Sequence, residues 1–202
     1  MLAIIDYGAG NLRSVLHALN HLGADKLHIV RTPEELQGAD KIILPGVGAF
    51  GAGMQQLAAQ NIIEPLQELV RRGVPYLGIC LGMQFLFERS DEMGSHTGLG
   101  LLAGDVTRFP AFTDLKVPHM GWNQLNVQRE SPISQGIETG QYAYFVHSYY
   151  CRPARASDVL FSVDYGIPFT AGIARDNIFG VQFHPEKSQQ VGLQILQNFL
   201  AL

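Results

Sequence analysis

The strongest constraint on the fold is an alternation of periods. Four short apolar runs, at residues 2–6, 26–31, 42–44 and 76–79, each stop within a few residues at Gly, Pro or Cys, and helical spacing fills the gaps between them. After the first run, Leu12, Val15, Leu16 and Leu19 recur at helical intervals from Asn11, and Gly23 follows them. After the second, Thr32-Pro33-Glu34-Glu35 reads as a capping box, with Thr32 as cap and Glu35 reaching back. Helical patterns fill 53–72, broken near Pro65, and 81–88. Strands joined by helical crossovers must lie parallel, with helices covering both faces.

The second half changes character. Residues 106–109, 142–150, 159–164, 170–175 and 178–183 read as strands with little helix between them, and a helix closes the chain over 188–200. These strands extend the sheet in antiparallel fashion or form a second, smaller one. The expected class is therefore α/β: a mixed, mostly parallel central sheet flanked by helices, with added antiparallel strands in the C-terminal half. No repeat, low-complexity tract or linker divides the 202 residues, so 1–202 is read as one domain.

Composition narrows the functions. With 14 basic against 18 acidic residues there is no basic excess to hold nucleic acid nonspecifically. Charged residues make up only 16% of the chain, which fits a doubly covered sheet or a surface partly occupied by a partner. Two cysteines, Cys80 and Cys151, cannot make a disulfide framework and point to a reduced, cytoplasmic setting. The start lacks a basic segment and meets Asp6 at once, unlike a signal peptide. The uncharged stretch 42–63 contains Pro45 and several glycines and glutamines, which excludes a membrane helix.

Gly78-Ile79-Cys80-Leu81-Gly82 joins the fourth strand to the following helix. A nucleophile at such a turn stands at the carboxyl edge of the sheet, the glycines relieve crowding, and a helix start favours a thiolate. A buried core cysteine is the plainer reading of the same residues. Val181-Gln182-Phe183-His184-Pro185-Glu186 tips the balance, because a strand ending in His184, with Glu186 two residues on, supplies a base and its orienting acceptor. Gly46, Gly48 and Gly51 match a dinucleotide fingerprint, but the acid expected about 20 residues on would be Glu64, in a helical stretch. Backbone N–H groups for an oxyanion are the better use of this loop. His17 and His21 have zinc-like spacing without a third ligand and read as solvated. Trp122, in a Gly/Pro loop, reads as an interface anchor or a buried plug, Tyr144–Tyr150 as a half-buried strand, and Cys151 as structural.

Taken with Asp6-Tyr7-Gly8-Ala9-Gly10-Asn11, Pro45-Gly46-Val47-Gly48, Pro118-His119-Met120-Gly121-Trp122-Asn123 and Tyr144–Tyr150, the chain resembles the class I, or triad, glutamine amidotransferases nearly end to end. Pro-Gly-Val-Gly, in place of Pro-Gly-Gly, resembles their imidazole glycerol phosphate branch. The resemblance implies Cys80 as nucleophile, His184 as acid and base, and Glu186 as its partner. It implies backbone N–H groups of Val47, Gly48 and Leu81 as the oxyanion hole, and Gly46, Gln84, His147, Ser148 and Tyr149 around L-glutamine. It implies a separate (β/α)8 cyclase subunit met through Asn11, Trp122 and Lys187 in a heterodimer, without cofactor or metal. One peptide of the 45–51 loop would point its carbonyl at the oxyanion site until that partner binds its own ligand. A stand-alone thiol hydrolase or peptidase, and a binding subunit that has lost catalysis, remain as alternatives.

Overall fold

A computed structural model of the chain describes residues 1–111 and 114–202. The first half runs β1 (Leu2–Ile5), α1 (Leu12–His21), β2 (Leu27–Val30), α2 (Pro33–Leu36), β3 (Lys41–Gly46), α3 (Phe50–Ala59), α4 (Ile63–Arg71), β4 (Tyr76–Cys80) and α5 (Leu81–Gln84). There follow β5 (Phe87–Ser90), β6 (His96–Thr97), β7 (Leu102–Arg108), β8 (His119–Gln124), β9 (Asn126–Val127), β10 (Tyr142–His147) and β11 (Tyr149–Pro153). The chain ends with β12 (Val159–Asp164), β13 (Pro168–Arg175), β14 (Ile178–Val181) and α6 (Gln189–Leu200).

Among the described residues, twelve strands form one sheet. Its central part, β2-β1-β3-β4-β14, is parallel throughout. Beyond β14 the order continues β13-β11-β7-β5-β6, mostly antiparallel, while β12 and β9 branch off β13. A separate antiparallel ladder pairs β8 with β10. Both alternatives for the second half are therefore realised.

The period of two in the parallel strands sorts their side chains into two cores. Leu2, Ile4, Ile43, Leu77, Ile79 and Val181 face one side, where Val15 and Leu19 of α1 and Ile195 and Phe199 of α6 cover them. Ala3, Ile5, Ile42, Leu44 and Tyr76 face the other, under Leu36, Leu57, Leu66 and Val70 from α2, α3 and α4. Full burial of a large aliphatic or aromatic side chain contributes about 1.5–3 kcal/mol, and both faces of these strands are covered, so the parallel arrangement is strongly enforced.

Four local expectations change. The expected helix at 81–88 is a single turn, because Phe85, Leu86 and Phe87 are wholly buried and their carbonyls accept from Leu99, Leu101 and Gly100. That long-range pairing turns Phe87–Ser90 into a strand beside β7 and overrides the local helical spacing. The helical stretch 53–72 breaks not at Pro65 but at Asn61, whose φ of +56° ends α3. Pro65 sits in the first turn of α4, where its missing N–H costs nothing. The strand expected over 142–150 is two strands in different sheets, divided at Ser148. Trp122 lies on strand β8, opposite Tyr144, rather than in a loop.

Candidate active site

Three adjacent parallel strands deliver the site to the carboxyl edge of the sheet. Gly46 at the end of β3 pairs with Cys80 at the end of β4, and Val181 at the end of β14 pairs with Ile79. Edges of this kind are where open α/β sheets bind ligands.

Cys80 adopts φ +55° and ψ −108°, a conformation that costs a non-glycine residue about 1–3 kcal/mol. Sterics hold it there. A Cβ at Gly82 would lie 1.8 Å from the Leu44 carbonyl oxygen, one at Gly78 would lie 2.4 Å from the Gly82 oxygen, and one at Gly46 would lie 2.5 Å from the Tyr7 hydroxyl. The glycines thus let strand, turn and helix close on one another, as their spacing suggests. Since α5 is one turn long, it contributes little macrodipole to the sulfur.

His184 Nδ1 lies 2.9 Å from Glu186 Oε1, and Asn11 Nδ2 donates to the same oxygen at 3.2 Å. Both side chains of the pair are almost wholly buried. Ser188 Oγ donates to the His184 carbonyl at 2.7 Å and accepts from the Tyr144 N–H at 3.0 Å, which ties the His-Pro-Glu turn to β10. Burial alone would lower the His184 imidazole. The Cys80 sulfur and the Glu186 carboxylate outweigh it and raise the pKa to about 10. With Nδ1 engaged by Glu186, Nε2 is the nitrogen left for Cys80 and a substrate.

A cavity of about 310 Å³ opens between these groups. Val47, Gly48, Cys80, Leu81, Gln84, His147, Ser148, Tyr149 and His184 line it, so the expected nucleophile, base, oxyanion donors and substrate contacts meet in one place. Gly46 does not line it and acts sterically beneath the loop. A larger hollow of about 800 Å³, lined by α1 and the 185–193 region, touches Glu186 and Lys187 but neither Cys80 nor His184. Asn11 turns inward to Glu186, whereas Trp122 is 46% exposed and packs edge-on to Tyr144, whose ring also lies 5.8 Å from the Lys187 ammonium. His17 and His21 are exposed, and Cys151 is buried.

Behind the cavity runs a polar chain. Asn123 Nδ2 contacts the Asp164 carbonyl at 3.0 Å and His119 Nε2 at 3.3 Å. His119 Nδ1 is 3.0 Å from His147 Nε2, and His147 Nδ1 is 2.8 Å from the Tyr149 carbonyl oxygen. A carbonyl only accepts, so His147 donates through Nδ1, accepts through Nε2, and thereby sets His119 as its donor. Burial pushes both imidazoles down, His119 to about 4 and His147 to about 3, so both stay neutral. From the other side, Gln84 Nε2 donates to the same Tyr149 oxygen at 3.1 Å and to Gln182 Oε1 at 3.0 Å.

The family profile described as "Glutamine amidotransferase class-I" matches residues 3–202. This chain belongs to the class I glutamine amidotransferases. It is 52% identical over 204 residues to "Imidazole glycerol phosphate synthase subunit HisH" of Syntrophotalea carbinolica, covering 98% of both chains. It is 49% identical over 203 residues to "Imidazole glycerol phosphate synthase subunit HisH 2" of Pseudomonas aeruginosa, covering 100% of both. The solved structure "Structure of PurLQS from Thermotoga maritima" superposes with a TM-score of 0.75 at 20% identity, over 99% of this chain and 97% of that one, a likeness of fold.

In this amidotransferase, sequence reasoning passed over three residues near the cavity. Among the described residues Glu92 is the one carboxylate lining it, and its Oε2 accepts from the Phe50 N–H at 2.7 Å. No pattern in 91–100 marks it, because the turn that brings it in is a tertiary feature. Gln182 and His119 did carry a signal. Gln182 alternates with Val181 and Phe183, hence shares a side with His184, and His119 falls on the same side of its strand as Gly121 and Asn123.

Proposed function

We propose that this chain hydrolyses L-glutamine to glutamate and ammonia through Cys80, His184 and Glu186. It passes the ammonia to a separate cyclase subunit of (β/α)8 type, which makes imidazole glycerol phosphate and the aminoimidazole carboxamide ribonucleotide in histidine biosynthesis. The observation that carries this reading is the buried His184–Glu186 pair at 2.9 Å, of which His184 lines one cavity of about 310 Å³ together with the elbow Cys80. The names of the relatives, subunits of imidazole glycerol phosphate synthase, support the assignment of the partner reaction.

The chemistry follows from the groups present. The Cys80 thiolate attacks the carboxamide carbon, and the oxyanion accepts from the Leu81 N–H and from the Val47–Gly48 turn. His184 Nε2 protonates the departing nitrogen, leaving a γ-glutamyl thioester, and then takes a proton from the water that releases glutamate. Glu186 and Asn11 hold the ring in the required tautomer. The Tyr149 carbonyl already accepts two hydrogen bonds and the Ser148 carbonyl accepts one from Phe109, so this segment offers N–H groups, suited to the α-carboxylate. Both Gln84 N–H groups are engaged, leaving its oxygen, together with Glu92, for the α-ammonium.

Ammonia must stay neutral and enclosed to be useful to a partner. Met120, Trp122 and Tyr142 are exposed on the β8–β10 ladder, and Lys187 lies beside it, a combination that suits an interface anchored by aromatics. We assign the cyclase to this face, in a cytoplasmic heterodimer. Val47 is 37% exposed and Gly48, at φ +96°, has open space around it, so the oxyanion loop is free to turn when the partner docks.

The test is glutamate release by the purified chain, alone and with the cyclase and its nucleotide ligand. Slow turnover alone and a rise of about 10²–10³ in the complex are expected, the value of one oxyanion donor. In Cys80→Ala, synthesis from ammonia should persist while synthesis from glutamine stops. Equal, fast hydrolysis in both states would instead mark a stand-alone hydrolase.

A further inference from the structure

Gln182 is wholly buried one residue past the end of β14 and packs among groups that the reaction uses. Its Nε2 lies 3.6 Å from Cys80 Sγ, a hydrogen-bonding distance for sulfur. Its Oε1 accepts from Gln84 Nε2 at 3.0 Å, and Gln84 Nε2 also donates to the Tyr149 carbonyl. The orientation is forced. Since Tyr149 offers only an acceptor, Gln84 must present its NH2 inward. Gln182 must then meet that NH2 with its oxygen, which leaves its own NH2 for the sulfur. Reversing Gln182 would set donor against donor at Gln84 and oxygen against a thiolate at Cys80. A buried amide is costlier than an apolar side chain unless its bonds are made, and one of these bonds is to the nucleophile.

We propose that Gln182 is a positioning residue for Cys80: its side-chain N–H donates to the sulfur, fixes the direction of the thiolate, and is itself held by Gln84 on the cavity wall. The inference rests on the glutaminase reading above and adds a residue to it. Hydrogen bonds to charged groups are the strong ones, so the donor acts chiefly on the thiolate and on the steps that consume it.

Gln182→Met keeps the length and removes the polar atoms, and Gln182→Glu keeps the size and replaces the donor with oxygen. Both are made in the complex with the cyclase. The first readout is the rate of Cys80 alkylation by iodoacetamide against pH, without glutamine; the second is glutaminase kinetics. For Gln182→Met the midpoint of the alkylation profile should rise by about one pH unit, and kcat should fall about tenfold to hundredfold with KM within about twofold. Gln182→Glu should lose more. A folded Gln182→Met complex with unchanged midpoint and kcat overturns the proposal, as does a rise in KM alone, which would mean that Gln182 only shapes the cavity. If Gln182→Met does not fold, Gln84→Met frees Gln182 without altering it and should move the midpoint in the same direction by less; no movement overturns the proposal. A wild-type complex that neither hydrolyses glutamine nor alkylates at Cys80 overturns the glutaminase reading itself, a result distinct from the others.

Discussion

The two sides of the site are held in place by different physics. On the Cys80 side, shape decides: Cys80 sits at φ +55° where β3, β4 and α5 close so tightly that no Cβ fits at Gly46, Gly78 or Gly82. On the His184–Glu186 side, polar bonds decide: Asn11, Ser188 and the backbone of Tyr144 pin the two residues. Crowding of this kind fails by unfolding the elbow. A polar scaffold fails by loosening while the fold survives. Changes on the first side should therefore appear in stability, and changes on the second in rate.

Four outcomes would break or sharpen that contrast. Glu186→Gln keeps the shape of the His184–Glu186 side and removes its charge, so glutamine turnover should fall about 10³–10⁴-fold while the fold survives, its melting temperature lowered only by the lost stabilisation of the His184 imidazolium; steady-state kinetics and thermal unfolding together decide it. Gly82→Ala drives a methyl group into the Leu44 carbonyl and should destabilise by about 3 kcal/mol, lowering the melting temperature by about 6–12 °C. A fully stable, fully active alanine variant would mean that the elbow is not held by shape. Ser188→Ala leaves the Tyr144 N–H without its acceptor and should cost about 1 kcal/mol, with a modest fall in kcat. A loss of stability without any loss of rate would dissolve the contrast on that side.

The smallest effect is pH dependence, and its sign differs across the site. His184 has its folded pKa raised to about 10, so its contribution is present at low pH and is lost as pH climbs from the unfolded value through about 10. His147 and His119 are lowered by burial to about 3 and 4, so their contribution is present above the unfolded value and is lost as pH falls toward those values. Denaturant midpoints at several pH values should show both limbs. His147→Gln should flatten the acid limb and leave the alkaline one in place.

The parallel half was legible because its signals are local: apolar runs, the Thr32–Glu35 capping box, which the structure reproduces, and glycines at the turns. Cys80 and His184 could be named because a turn after a strand has few places to put a side chain, whereas Gln84, His147, Ser148 and Tyr149 could be named only through the family resemblance. What escaped depends on distant pairing. Phe85–Phe87 looked helical and became part of a sheet edge because 98–102 lies beside it. Glu92 reaches the cavity from a turn without any pattern of its own. Ser148 splits one apparent strand between two sheets, a choice made by the partners β8, β7 and β13.

The chain of hydrogen bonds behind the cavity has one further property. From Asn123 through His119 and His147 every donor points toward the Tyr149 carbonyl, and from Gln84 the donor points back at the same oxygen. A proton hopping along such a series would need every link to face the same way, and here the direction reverses at an atom that has no proton to give. The series is therefore a strut and not a wire: it ties the β8–β10 ladder to the wall of the cavity, and no proton passes along it between that face and the sulfur.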